Sequence, residues 1–367
     1  MTILFEPFQL KSMRLPNRIV MAPMTRMFSP DGVATEEVAQ YYRRRAQGGV
    51  GLIVTEGTVV ERPVSHYDPN VPRFWGDDAL GAWAHVVDEV HDAGGLIAPQ
   101  IWHVGAARHP FTNWQAPGVV DSPSGIFHPD KADDPTEPPM TQSAIADSIA
   151  AFARAAASAM RIGCDAIELH GAHGYLIDQF FWNRTNLRVD GYGGELAART
   201  RFAVELIQAV RDAVGPDFPV ILRVSQWKGQ DYSARTVETP AEMETWLQPL
   251  ADAGVDCFHC SQRRIWEPEF PGSDLNLAGW AKKITGKPTI SVGSVGLSGE
   301  FMEGMATNAA SRPASLEGLI AQLERGDFDL VAVGRALLND PDWANKIRDG
   351  RLDELRDYSA DAMGVLY

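Results

Sequence analysis

The chain has 367 residues, with 33 Lys and Arg against 48 Asp and Glu, for a formal net charge of −15. Its 45% hydrophobic and 22% charged residues are ordinary for a globular chain and exclude disordered or fibrous classes. The acidity argues against nucleic-acid partners and anionic membrane surfaces, both of which call for a surplus of Lys and Arg.

In chain order, Glu6 and Pro7 interrupt any apolar N-terminal run, so no secretory signal is expected, and no run of about 18 apolar residues proposes a membrane span. Cys164, Cys257 and Cys260 are too few for a disulfide framework and fit a reducing, cytoplasmic location. Short apolar, β-branched runs then recur at 18–25 (RIVMAPMT), 50–57 (VGLIVTEG), 95–103 (GLIAPQIWH) and 166–173 (AIELHGAH). Four more lie at 219–226 (PVILRVSQ), 257–262 (CFHCSQ), 289–296 (TISVGSVG) and 329–337 (DLVAVGRAL). Most are continuous rather than alternating, the pattern of strands buried on both faces.

Helical stripes separate them. Leu80, Trp83, Ala84 and Val87 follow an i, i+3, i+4, i+7 spacing closed by Gly94-Gly95. Ile145, Ile149, Phe152 and Ala156 form a second stripe opened by Thr141, and Phe202, Leu206, Ala209, Val210 and Ala213 a third, stopped by Gly215-Pro216. Weaker helical stretches fall near 35–47, 240–253, 274–284, 315–325 and 341–350. Eight strands each followed by a helix specify an α/β fold, a single (β/α)8 TIM barrel with long βα loops occupying residues 1–367 as one domain. The surplus of roughly 115 residues over a minimal barrel sits in loops at 103–140, 227–239, 263–274 and 298–312, and such loops are usually lids or binding loops.

Active sites of this fold lie at the C-terminal strand ends. Those positions hold Met24 and Thr25, Glu56 and Gly57, Gln100, Trp102 and His103, His170 and His173, Arg223, Ser225 and Gln226, Ser261 and Gln262, Gly293 and Ser294, and Gly334 and Arg335. This set has no paired catalytic carboxylates, no nucleophile elbow and no convincing metal cluster; it binds a large polar ligand. The glycines after the seventh and eighth strands, with Arg335, form a candidate phosphate cradle; the alternative is plain turn glycines. His170 and His173 stand three apart, which on a regular strand means opposite faces, but a glycine-bracketed break would let them converge with Tyr175. They can be read as a metal pair lacking a third ligand, as structural histidines, or as a polar substrate clamp, the reading favoured here. Cys257 and Cys260 lie within one strand facing opposite ways, so no metal or redox role is expected of them.

Several motifs together resemble the old yellow enzyme family of FMN-dependent ene-reductases: A-P-M-T at Ala22–Thr25, V-T-E-G at Val54–Gly57, and Q-x-W-H-x-G at Gln100–Gly105. E-L-H-G-A-H-G-Y-L at Glu168–Leu176, N-x-R-x-D-x-Y-G-G at Asn186–Gly194, L-R-V-S at Leu222–Ser225 and V-G-R-A-L-L-N-D-P at Val333–Pro341 extend the likeness over every strand. The resemblance implies an NAD(P)H-dependent flavin oxidoreductase. FMN would lie across the barrel mouth with Pro23, Met24 and Thr25 along its ring, Gly57 leaving room beside it and Gln100 on its pyrimidine edge. Arg223 would sit near N1 and O2, and Gly293, Ser294, Gly334 and Arg335 would take the phosphate.

By the same resemblance, NADPH or NADH reduces FMN and an α,β-unsaturated carbonyl or nitro compound then replaces it. His170 and His173 would bind the substrate oxygen, flavin N5 would give hydride to the β-carbon, and Tyr175 would protonate the α-carbon, with Trp102 in contact with substrate. Thr25 stands where some members carry cysteine, and His173 where some carry Asn. Two other functions remain open on the residues alone: a barrel lyase or isomerase that binds a substrate phosphate, and a flavin-binding protein without efficient turnover. Nothing decides the nicotinamide or the oligomeric state.

Overall fold

The computed structural model describes residues 2–107, 114, 116–131, 137–299 and 310–367; parts of the expected loops at 103–140 and 298–312 lie outside the described residues. Eight parallel strands close into a barrel: β1 (Ile19–Met21), β2 (Leu52–Val59), β3 (Ile97–Trp102), β4 (Ile167–His173), β5 (Val220–Lys228), β6 (Cys257–Ser261), β7 (Thr289–Val292) and β8 (Leu330–Val333), with β8 paired to both β7 and β1. The intervening helices are α1 (Glu36–Gln47), α2 (Asp77–Asp92), α3 (Gln142–Arg161), α4 (Arg201–Val214), α5 (Pro240–Ala253), α6 (Leu277–Thr285) and α7 (Glu317–Arg325). This is the (β/α)8 barrel that the spacing of apolar runs specifies.

Side-chain alternation along the strands sorts the barrel interior into layers. Val20, Leu52, Ala98, Ala166, Ile221, Cys257, Ile290 and Leu330 form an apolar floor, buried together. Leu10, Met13 and Leu15 seal it from below. They belong to an antiparallel hairpin, Phe8–Leu10 with Met13–Leu15, that the strand count does not anticipate. Two residues further up every strand, the layer divides. The β1, β2 and β8 positions are Ala22, Val54 and Ala332, apolar and buried, and the β7 position is half-buried Val292. The β3, β4, β5 and β6 positions are Gln100, Glu168, Arg223 and His259, polar and buried. The fold thus builds a barrel mouth that is apolar on one side and charged on the other.

Differences from the sequence reading lie at strand ends. The ladder of β1 stops at Met21, just before Pro23, which has no N–H to donate. The run 329–337 is two elements: β8, then a short helix, Arg335–Asn339, whose buried Ala336, Leu337 and Leu338 are as compatible with a buried helix turn as with a strand. The inner and outer faces of β6 separate its cysteines: Cys257 belongs to the barrel floor and Cys260 to the helix-facing core.

Candidate active site

A cavity of about 330 Å³ opens at the C-terminal strand ends. Of the residues singled out from sequence, Pro23, Met24, Thr25, His173, Arg223, Gly293, Ser294, Gly334 and Arg335 line it. The loop after β1 is held in place from β2: the Glu56 carboxylate accepts the backbone N–H groups of Arg26 (2.8 Å) and Met27 (3.1 Å). A larger cavity, about 610 Å³, lies behind the β7 loop against α7 and contains none of the histidines.

The β7 and β8 ends have the backbone of an anion cradle. A Cβ at Gly293 would stand 2.6 Å from the Gln262 carbonyl oxygen, so that position admits only glycine without a shift. Ser294 follows at φ +51°, in the left-handed region that side chains seldom adopt. Its hydroxyl donates to the Arg263 carbonyl (3.1 Å), and Arg335 reaches the Gly299 carbonyl (2.9 Å) while lining the same cavity. Consecutive tight backbone of this kind, with a guanidinium beside it, is the arrangement that binds phosphate.

Beside the cavity, β4 brings its two imidazoles together by breaking its own ladder. The register with β5 shifts between Gly171 and His173, a bulge, and His173 adopts φ +65°. The ring centroids of His170 and His173 are consequently 5.1 Å apart, and those of His170 and Tyr175 are 5.0 Å apart. Buried partners hold the bulge: the Asp178 carboxylate accepts the Gly174 N–H (2.7 Å) and pairs with fully buried Lys228, while Ser225 Oγ accepts the His173 N–H (2.9 Å). Burial, reinforced by the positive charge of Arg223, pushes both imidazoles well below their ordinary pKa, so each is neutral with one N–H to give. His173 Nε2 is 2.8 Å from Ser261 Oγ. Burial raises the Tyr175 phenol, and a hydrogen bond from the Tyr67 hydroxyl opposes that rise.

The remaining expected residues are placed behind this surface. Trp102 is 1% exposed and packs edge-on against Tyr175, with centroids 4.8 Å apart, so it backs the phenol. The space left by Gly57 belongs to that indole: a Cβ there would be 2.4 Å from Trp102 Cε3. Gln100 lies in the polar half-layer, donating from Nε2 to Glu168 Oε1 at 2.8 Å. Tyr67 and Met363 escape a sequence reading, whereas residues 227–232 fall in a loop expected as a lid or substrate-side wall. Tyr67, in the loop after β2, carries no motif. Trp227 stacks on His173 (centroids 4.2 Å) and Tyr232 on Trp227 (5.0 Å), so the segment 227–232 is a cavity wall. Met363, from the C-terminal segment, closes another side. Among the described residues, no group of three or more His, Cys, Asp or Glu could hold a metal ion.

The mouth of this parallel barrel thus gathers tight backbone and Arg335 at the ends of β7 and β8, a buried guanidinium and a Tyr-His-His cluster, groups able to hold an anionic ligand and to move a proton. The model of the NADH:flavin oxidoreductase / NADH oxidase family matches residues 3–354. A metal reductase of Desulforamulus reducens is 32% identical over 97% of this chain and 50% of its own length. An NADPH dehydrogenase of Listeria welshimeri is 33% identical over 94% of both chains. The structure of morphinone reductase in complex with tetrahydroNAD superposes with a TM-score of 0.79 at 27% identity, covering 98% of this chain and 93% of that one. The chain spans about half the length of the metal reductase and of a similarly matching NADH oxidase. The chain therefore belongs to the NADH:flavin oxidoreductase / NADH oxidase family, the old yellow enzyme kind.

Proposed function

We propose that this chain is an FMN-dependent ene-reductase that takes electrons from NADPH or NADH and reduces an α,β-unsaturated carbonyl or nitro compound. The observation that carries the reading is the convergence of His170, His173 and Tyr175 beside a cavity that ends in an anion cradle. In this reading Gly293, Ser294, Gly334 and Arg335 hold the FMN phosphate, Pro23, Met24 and Thr25 run along its ring, and Gln100 and Arg223 face its pyrimidine edge, while the room expected of Gly57 is taken by Trp102. FMN, when bound, supplies the hydride that the alkene's β-carbon receives.

The neutral imidazoles of His170 and His173 donate N–H groups to the substrate's carbonyl or nitro oxygen, drawing electron density from the double bond. The Tyr175 hydroxyl delivers the proton to the α-carbon, completing a two-electron reduction. Trp102 keeps the phenol upright, and the Trp227–Tyr232 wall limits the substrate's outline. A small molecule is the expected partner. No helix among the described residues is long and apolar enough to cross a membrane, and we read the chain as cytoplasmic from its sparse free thiols.

The purified protein should show a visible flavin spectrum and oxidise NADPH or NADH when given cyclohexenone or a nitroalkene. A colourless protein that FMN does not reconstitute overturns the reading and returns the site to a phosphate-ligand lyase or isomerase. Bound FMN without turnover on any such acceptor leaves a flavin-binding protein instead.

A further inference from the structure

Beneath the cavity, the polar half-layer holds a carboxylate that the reaction above does not use. Glu168 is fully buried, and each oxygen has a partner on a different strand: Oε1 accepts from Gln100 Nε2 of β3 (2.8 Å), and Oε2 is 2.6 Å from His259 Nδ1 of β6. Arg223 of β5 stands in the same layer and interacts electrostatically with it. A buried carboxylate in apolar surroundings would be protonated, but here burial is outweighed by His259, Arg223 and Gln100 together, and Glu168 stays below its ordinary pKa. It is therefore an anion under the site.

An ionised carboxylate has no proton to give and can only accept. Both neighbours are oriented by that fact. Gln100 must turn its NH₂ toward Glu168, leaving its carbonyl oxygen as the arm of the amide that can accept from elsewhere. His259 must carry its proton on Nδ1, and its Nε2 is buried without a partner. The Arg223 Nε is likewise buried without a partner. An isoalloxazine pyrimidine presents one N–H donor between two carbonyl acceptors, so it needs one acceptor and nearby positive charge.

We propose that Glu168 and His259 are positioning residues for the flavin: the carboxylate locks Gln100 in the acceptor orientation and offsets the charge of Arg223, thereby limiting how far the site favours an anionic ring. The proposal rests on FMN occupying the cavity. Its opposite numbers across the barrel, Ala22, Val54 and Ala332, are apolar, so the charge offset comes from the β3–β6 side alone.

The test is the affinity of the bound flavin for sulfite, whose N5 adduct is an anionic ring, together with the FMN midpoint potential. Glu168→Gln keeps the shape and removes the charge; sulfite should bind about ten-fold tighter and the potential should move positive. His259→Asn, which weakens support for the carboxylate, should move both in the same direction. Unchanged sulfite affinity and potential in flavin-loaded variants overturn the proposal, as a merely structural role would leave them. Should neither variant fold, the reduced-minus-oxidised infrared spectrum of the wild-type protein decides: a perturbed carboxylate band supports the proposal and its absence overturns it. Wild-type protein that does not bind FMN defeats the proposed function instead, and is distinguished by that outcome.

Discussion

In the proposed reduction, Tyr175 takes its role as proton donor from its surroundings. Its ring is held edge-on by Trp102 at 4.8 Å and by His170 at 5.0 Å, and its oxygen accepts a hydrogen bond from Tyr67. A donor on the phenol oxygen stabilises the phenolate left after proton transfer, while burial keeps the phenol protonated until then. Tyr175→Phe is expected to slow reduction of a simple enone by about 10²–10⁴-fold, the usual worth of general-acid help. The rate at which NADPH reduces the flavin should survive. Stopped-flow measurement of the two half-reactions separates them, and equal loss in both would remove Tyr175 from the proton's path.

Elements matter next, because β4 delivers its histidines only where its ladder fails. A regular strand would send His170 and His173 to opposite faces. The bulge at Gly171–His173 turns them to one side, and the buried Lys228–Asp178 pair pins the turn from β5 and the short helix Leu176–Phe181. Burial pushes Asp178 up and Lys228 down, and each is checked by the other's charge. Lys228→Met removes one partner and leaves a carboxylate with no cation in a fully buried place. The expected cost is about 3–5 kcal/mol of folding stability, read from urea denaturation, with loss of substrate binding in any folded fraction. A variant as stable as wild type would mean the pair does not hold the bulge.

The bulge also marks a limit of sequence reading. Glycines on either side of His173 signal that the strand breaks there, but nothing local says by how much or toward which neighbour. Tyr67 lies more than a hundred residues before Tyr175, and no spacing links them. Gly57 gives a contrasting case: the residue stands out in the motif, yet its missing side chain makes room for Trp102 rather than being legible as a contact in its own right.

At the scale of the whole molecule, stability responds to buried charge summed over the fold. Glu56 is fully buried, with two backbone N–H donors on Oε2 and no partner on Oε1. Burial raises its pKa to about 7, above the ordinary 4.5. The folded chain then binds more protons than the unfolded one between those values, so stability must fall as pH rises through that window. The shift is worth about 3 kcal/mol once both states are ionised. Glu56→Gln removes the titration. Its stability relative to wild type should rise between pH 5 and pH 7.5, and parallel stability curves for the two proteins would contradict the assignment.

Read alone, the sequence determined the barrel, because eight apolar runs buried on both faces and separated by amphipathic helices admit little else. It also determined which strand ends carry glycine, imidazole and guanidinium, because the chemistry of a side chain is local. Which residues meet was decided only by closure of the barrel. Closure sets Gln100, Glu168, Arg223 and His259 in one half-layer from four strands, and brings Trp227 onto His173. Those contacts depend on strand register and on the size and direction of the bulge in β4, which arise from packing across the whole ring and are not written at any one position in the chain.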